Sequence, residues 1–253
     1  MYSTWTRYNP FILFATGTNI RSLVAHLRTV YPGLPVRGYV PNEESSDSQL
    51  INQAKPVNLT KTEDWVWLRL NDLDAFERCR QKGQKRAGEL DLQMSITPAV
   101  VGDDTECDDF DHIMMMIEEL AIYENMLDQC QMTSVKLRED YETTPTLHAP
   151  QYYAHVARLG GRVIGYTVAI DFFTLDHGKE TYLEDLFIKE EYRRKGLGSQ
   201  LLHSVWQAAE KRQSKGLYWV CLGWNKSSMD FYHSLGAVDQ PVTFIRFEPD
   251  CQY

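Results

Sequence analysis

The stretch Thr181–Ser199, TYLEDLFIKEEYRRKGLGS, decides how this chain is read. Its first half, Tyr182–Ile188, is an apolar run with two acids, Glu184 and Asp185, set inside it. Such a run reads as a strand buried on both faces. A polar turn, Lys189–Tyr192, leads into Arg193-Arg194-Lys195-Gly196-Leu197-Gly198-Ser199. Beyond it Leu201, Leu202, Val205, Ala208 and Ala209 recur at helical spacing. The order is strand, basic glycine-containing loop, helix. Physically this is an anion cradle. The first amides of a helix have no intrahelical partner and carry partial positive charge. Gly196 and Gly198 let a ligand come close to the backbone, and three bases add charge. A phosphate or pyrophosphate is the natural guest. The loop contains neither GxGxxG nor the GK[ST] of a P-loop. The bland alternative is a helix end whose bases are simply solvated.

Two further features carry a resemblance. Arg193-x-x-Gly196-x-Gly198 directly after a strand resembles the acetyl-CoA loop of the GNAT acetyltransferase superfamily. Trp224–Ala237, WNKSSMDFYHSLGA, resembles that superfamily's last helix, with Asn225 as cap, a Phe231-Tyr232 pair and Gly236-Ala237 at the close. Tyr182-Leu183-Glu184-Asp185 and Glu119–Met126, ELAIYENM, narrow the similarity to the diamine (spermidine/spermine) and thialysine acetyltransferase branch. The similarity runs over about Ile96–Phe247, with Thr97 standing where the family's first strand has an Arg.

The resemblance implies an N-acetyltransferase using acetyl-CoA as co-substrate and no metal. Leu186, Phe187 and Ile188 would pair with pantetheine as an added strand. Arg193, Arg194, Lys195, Gly196, Leu197, Gly198 and Ser199 would hold the pyrophosphate. Asn225 and Ser228 would complete the cofactor site. Glu184 would be the base acting through water, and Tyr232 the acid that protonates the CoA sulfur. Tyr123, Glu124, Glu184 and Asp185 would line the amine site. The preferred acceptor is a polyamine or a diamine-like amino acid such as thialysine. A protein lysine, an arylalkylamine and a non-catalytic adaptor role stay open. Family members of this kind are commonly homodimers, and one is expected here.

On residues alone, neighbouring strand residues face opposite ways, so Glu184 and Asp185 share a face only if the strand bulges. The family's strand carries such a bulge. His112, His148, His155, His203 and His233 show no ligand spacing.

The chain has 253 residues, enough for one large domain or two modest ones. No apolar run approaches the roughly 18 residues of a membrane span, and no secretory leader pattern opens the chain. Five dispersed cysteines without a CxxC point to free thiols in a reducing compartment, the cytoplasm or the nucleus. Net charge is −9, yet residues 1–90 hold 12 Lys/Arg against 9 Asp/Glu. That asymmetry predicts two units of different kind.

The expected boundary is 94/95: a mixed α/β acetyltransferase fold over 95–253, preceded by a small α+β unit over 1–94. In the small unit, strands are expected at Phe11–Ala15, Val36–Val40, Asp64–Leu70 and Leu90–Met94, with helices over Ile20–Leu27 and Asp72–Arg80. This β-α-β-β-α-β order suits a ferredoxin-like sandwich. It also resembles an RNA-recognition motif, in which Trp65 and Trp67 would stack bases. Glu63-Asp64 depart from that motif, and packing of both Trp is the plain alternative. In the larger unit, Arg158-Leu159-Gly160-Gly161-Arg162 predicts a hairpin between strands at Tyr152–Ala157 and Val163–Phe172. Later strands are expected at Leu217–Leu222 and Val242–Phe247, and helices at Phe110–Glu124, Val135–Asp140 and Ser227–Leu235.

Overall fold

The computed structural model describes residues 12–14, 36–41, 59–61, 65–70, 72–90, 94–102, 108–141, 152–174, 177–240 and 242–247. The expected helix over Ile20–Leu27 lies outside the described residues. In chain order the elements are β1 (Ile12–Phe14), β2 (Val36–Pro41), β3 (Leu59–Lys61), β4 (Trp65–Leu70), α1 (Leu73–Glu89), β5 (Met94–Pro98), α2 (Asp109–Tyr123), α3 (Ser134–Tyr141), β6 (Tyr153–Leu159), β7 (Arg162–Thr174), β8 (Gly178–Ile188), α4 (Leu197–Lys211), β9 (Leu217–Leu222), α5 (Lys226–Ser234), β10 (Ala237–Asp239) and β11 (Val242–Phe247).

The expected mixed sheet is present. Seven strands lie in the order β10-β4-β9-β8-β7-β6-β5. All neighbours are antiparallel except β8 and β9. The Gly160-Gly161 turn joins β6 to β7 as predicted, with both glycines at positive φ. Two apolar layers cover the sheet. Phe110, Ile113, Met116 and Ile117 of α2 and Leu137 of α3 pack on Tyr152, Val156, Tyr166 and Phe187. On the opposite face Leu202 and Val205 of α4 and Tyr232 of α5 meet Leu68, Leu183 and Trp219. The two faces together explain why β9 reads as a continuous apolar run and why Tyr182–Ile188 of β8 is apolar apart from its two acids.

The division at 94/95 does not hold. Strand β4 pairs with β9 at Trp65–Leu222 through Arg69–Tyr218, and with β10 on its other edge. Leu68, with no exposed surface, and Phe76 of α1 belong to the same core as Trp219 and Tyr232. A ferredoxin-like unit needs its strands in one sheet. Here β4 and β5 occupy separate places in the seven-stranded sheet, whereas β1, β2 and β3 stand with β11 in a four-stranded one. Trp67 is only 3% exposed and stacks on Tyr182, ring centroids 5.5 Å apart. It is core, so Trp67 offers no free face on which a base could stack. Strand β11 also departs from expectation, because it pairs with β2 and β3 and not with the acetyltransferase sheet.

Helix α1 runs to Glu89, well past the expected end at Arg80. Its Asp72 side chain caps Ala75 N–H at 2.7 Å, which fixes the start. Among the described residues, no helix is long and apolar enough to cross a membrane.

Candidate active site

Strands β8 and β9 pair only at Thr181–Leu217 and Tyr182–Tyr218, and then part. A wedge opens between them along Leu186–Ile188, whose other edge stays bonded to β7. Backbone groups alternate between the two sides of a strand, so Leu186 and Ile188 face the wedge with no β9 partner, as an added extended chain requires, and Ile188 O accepts from Arg193 Nε. The site is built around this opening.

At its outer end stands the cradle. Gly196 takes φ 80°, a left-handed conformation that turns the chain into α4 without a Cβ clash. No side chain caps α4, whereas Asp72, Asp108 and Asn225 each cap their own helices. The amides of Leu197–Ser199 are thus left for a ligand, and a Cβ at Gly198 would meet Phe231 no closer than 3.4 Å. The three bases divide their work. Arg193 donates from Nε to Ile188 O at 2.7 Å and lies over the Phe187 and Tyr123 rings. Lys195 donates to Glu191 O at 2.6 Å and lies over Tyr192. Both brace the loop. Arg194, exposed and at φ 59°, has no bonded partner among the described residues. The Ser199 hydroxyl bonds Gly196 O at 3.1 Å, so only its backbone faces the cradle's task.

Deeper in the wedge three carboxyls gather. The β7–β8 register shifts between Val168 and Ala169: Val168 pairs Asp185, Ala169 pairs Leu183, and Glu184 is the extra residue. This bulge puts adjacent carboxyls on one side of the sheet, which a regular strand forbids. Tyr166 on β7 donates to Asp185 Oδ2 at 3.0 Å. Burial, with the charges of Glu184 and Glu124 added, pushes the Asp185 carboxyl up to about 8. Burial and the Glu184 charge likewise push Glu124, at the C-terminal end of α2, to about 7. Asp185 has no ion pair with a basic side chain among the described residues. A cluster of carboxyls raised in this way favours a cation.

Helix α5 closes the other side. Asn225 caps it, accepting from Ser228 N–H at 3.2 Å, and also accepts from the Tyr123 hydroxyl at 3.3 Å. Tyr123 packs against Trp224 as well, so α2 reaches across the wedge to α5. Tyr232 is 8% exposed and packs on Trp219. Its hydroxyl has no hydrogen-bond partner among the described residues. Burial, then the nearby Cys221, Asp185 and Glu124, holds that phenol well above its usual range and so protonated. Such a phenol can donate to a sulfur placed in the wedge.

The site residues read from the sequence lie on β8, on the loop into α4 and its first turn, at the cap and along α5, and at the end of α2. Two residues were missed. Tyr166 bonds Asp185, and Cys221, its thiol pushed up to about 12 by burial, lies beside Tyr232. Neither carries a sequence signal, since both sit in apolar strands. Of the histidines, His203 and His233 pair with Glu77 and Asp239, and burial holds His155 down at about 4. Among the described residues no group of His, Cys, Asp and Glu is arranged to hold a metal ion.

Residues 118–237 match the Acetyltransferase (GNAT) family. Thialysine N-epsilon-acetyltransferase of Bos taurus is 36% identical over 135 residues, which are 52% of this chain and 79% of that protein. Spermidine/spermine N(1)-acetyltransferase-like protein 1 of Homo sapiens is 31% identical over 144 residues, 53% of this chain and 20% of that one. A solved structure of a functionally unknown conserved protein from Staphylococcus epidermidis shares the fold with TM-score 0.51 at 14% identity, over 90% of this chain and 77% of its own.

Proposed function

The chain belongs to the GNAT family of acetyltransferases, and we propose that it moves acetyl from acetyl-CoA to the primary amine of a small polycation, a polyamine or a diamine-like amino acid such as thialysine. The observation that carries this reading is the carboxyl cluster of Glu124, Glu184 and Asp185, two of whose members are held partly protonated near neutrality. A bound ammonium would offset the burial and, with it, the mutual repulsion that raise them.

Acetyl-CoA supplies the activated thioester. The uncapped amides of α4 and Arg194 suit its diphosphate, and the free edge of Leu186–Ile188 suits its pantetheine arm. An amide of that edge would donate to the oxygen on which charge develops. Glu184, projected by the bulge, takes the amine proton through water, since an ammonium has no lone pair to attack with. Asp185, held by Tyr166, and Glu124 bind the distal ammonium. Tyr232 gives its proton to the departing sulfur.

The test uses two acceptors. With spermidine, Asp185→Asn should raise the amine KM about tenfold, the loss of roughly one charge-assisted contact. With a monoamine of similar length the rise should stay within about twofold. An equal rise for both would remove the polycation reading and leave the acetyltransferase.

A further inference from the structure

We propose that α1, which precedes the family-matching segment, is a positioning element of the cofactor site, with Gly83 its contact on the phosphate loop. This rests on the acetyl-CoA reading of the wedge.

Helix α1 lies antiparallel along α4: Phe76 meets the His203 ring, and one to two turns later Gly83 meets Ser199 and Gly196. The contact at Gly83 has no slack. A Cβ there would stand 2.4 Å from Ser199 Oγ, 2.8 Å from Gly196 O and 3.2 Å from Gly196 Cα. From the other side, a Cβ on Gly196 would stand 2.2 Å from Gly83 O. Two backbones are in direct contact at the residue whose left-handed turn aims the α4 amides. Any side chain at 83 must push on the loop that makes the cradle.

The same helix is fastened at its other end to the element bearing Tyr232. Asp72 N–H bonds Gly236 O at 3.3 Å, the Cys79 thiol bonds Ser234 O at 2.7 Å, and Phe76 shares the core of Tyr232 and Leu235. Ala87 seats the far end of α1 against Leu197 and Leu201. Helix α1 therefore spans the outer face from the end of α5 to the start of α4. It sets where the diphosphate site stands relative to the proton donor. Gly88, on the same helix, has open space around it, nothing within 4 Å of its would-be Cβ.

The experiment compares donors in the full chain. S-acetylpantetheine carries the thioester and arm of acetyl-CoA without the diphosphate. Gly83→Ala should lower kcat/KM with acetyl-CoA about tenfold, through KM, as expected for a small displacement of a preorganised anion site. It should leave S-acetylpantetheine turnover and kcat at saturating acetyl-CoA within about twofold. Gly88→Ala, which makes the same change in helix propensity, should alter neither donor. An equal fall for both donors would reduce α1 to a stability element, and no fall for either would also overturn the proposal. Should Gly83→Ala fail to fold, the wild-type chain still decides. CoA should slow amide exchange across Gln81–Ala87, and unchanged exchange there counts against the coupling. A wild-type chain that uses neither donor and does not bind CoA would end the acetyl-CoA reading itself, and this proposal with it.

Discussion

Strand β9 has two neighbours and treats them differently. With β4 it pairs at five consecutive positions, Trp65–Leu222 through Arg69–Tyr218. With β8 it pairs at two and then lets go. One edge is closed and carries the core residues Trp67 and Leu68; the other is open and carries the chemistry. The contrast teaches how a sheet can be split and still hold. Backbone groups left unpaired at the wedge are a liability that the fold tolerates when the strand is fixed elsewhere. Here the fixing edge comes from residues ahead of the family-matching segment.

The harshest way to break the comparison is to remove the closed edge. A chain beginning at Leu90 lacks β4 and α1, leaving β9 with an unpaired edge and Trp219 and Tyr232 without Leu68 and Phe76. It should give no cooperative thermal transition and no turnover, and full activity from it would show that the closed edge is dispensable. A single side chain is milder. Trp67→Ala empties the space against Tyr182 and Tyr218 and should cost about 3–5 kcal/mol in urea unfolding, on the scale of large aromatic truncations.

On the open edge the effects move from stability to rate. Tyr232→Phe should lower kcat by about a hundredfold while CoA affinity holds, because only the proton is removed. A wild-type rate would dismiss this residue as donor.

The carboxyl cluster has its own signature in pH. The Asp185 carboxyl lies near 8 in the folded chain, above its unfolded value near 4. The folded state thus prefers the protonated form. Stability from this group is complete below about pH 4 and is lost as pH climbs toward about 8. Asp185→Asn should flatten that decline in Tm, and Glu124, raised to about 7, should account for part of what remains. Binding of a polycation runs the other way, so the amine KM should fall as pH rises across the same window. The smallest effect is at Tyr123. Tyr123→Phe loses one long, part-buried hydrogen bond to Asn225 and should cost under about 1 kcal/mol.

The open edge was legible in the sequence, and the closed one was not. The open edge is local. Strand, loop and helix follow one another over Thr181–Lys211, and acids inside an apolar run announce themselves. The bulge at Glu184 came from family likeness, since periodicity alone would have put the two acids on opposite faces. The closed edge depends on a partner some 150 residues away, as Trp65 pairs with Leu222. Alternation shows that Trp65–Leu70 is a strand, but nothing in six residues says which sheet takes it. Helix α1 was cut short for a related reason. Gln81–Gly88 is polar because only a narrow stripe, Gly83 and Ala87, faces the core there. Glycine reads as a breaker in sequence, while here its missing side chain is what admits the backbone of Gly196. Charge asymmetry misled in the same place, since a basic segment need not be a separate domain.

The most direct test of the whole account is thiol release from acetyl-CoA by the full chain against spermidine, spermine, putrescine, thialysine, a lysine peptide and an arylalkylamine. Turnover with the small polycationic amines, at a kcat/KM well above that for the peptide and the arylalkylamine, is the predicted result. Turnover confined to the peptide or the arylalkylamine would contradict the role given to Glu124, Glu184 and Asp185, and no thiol release with any acceptor would contradict the enzyme itself.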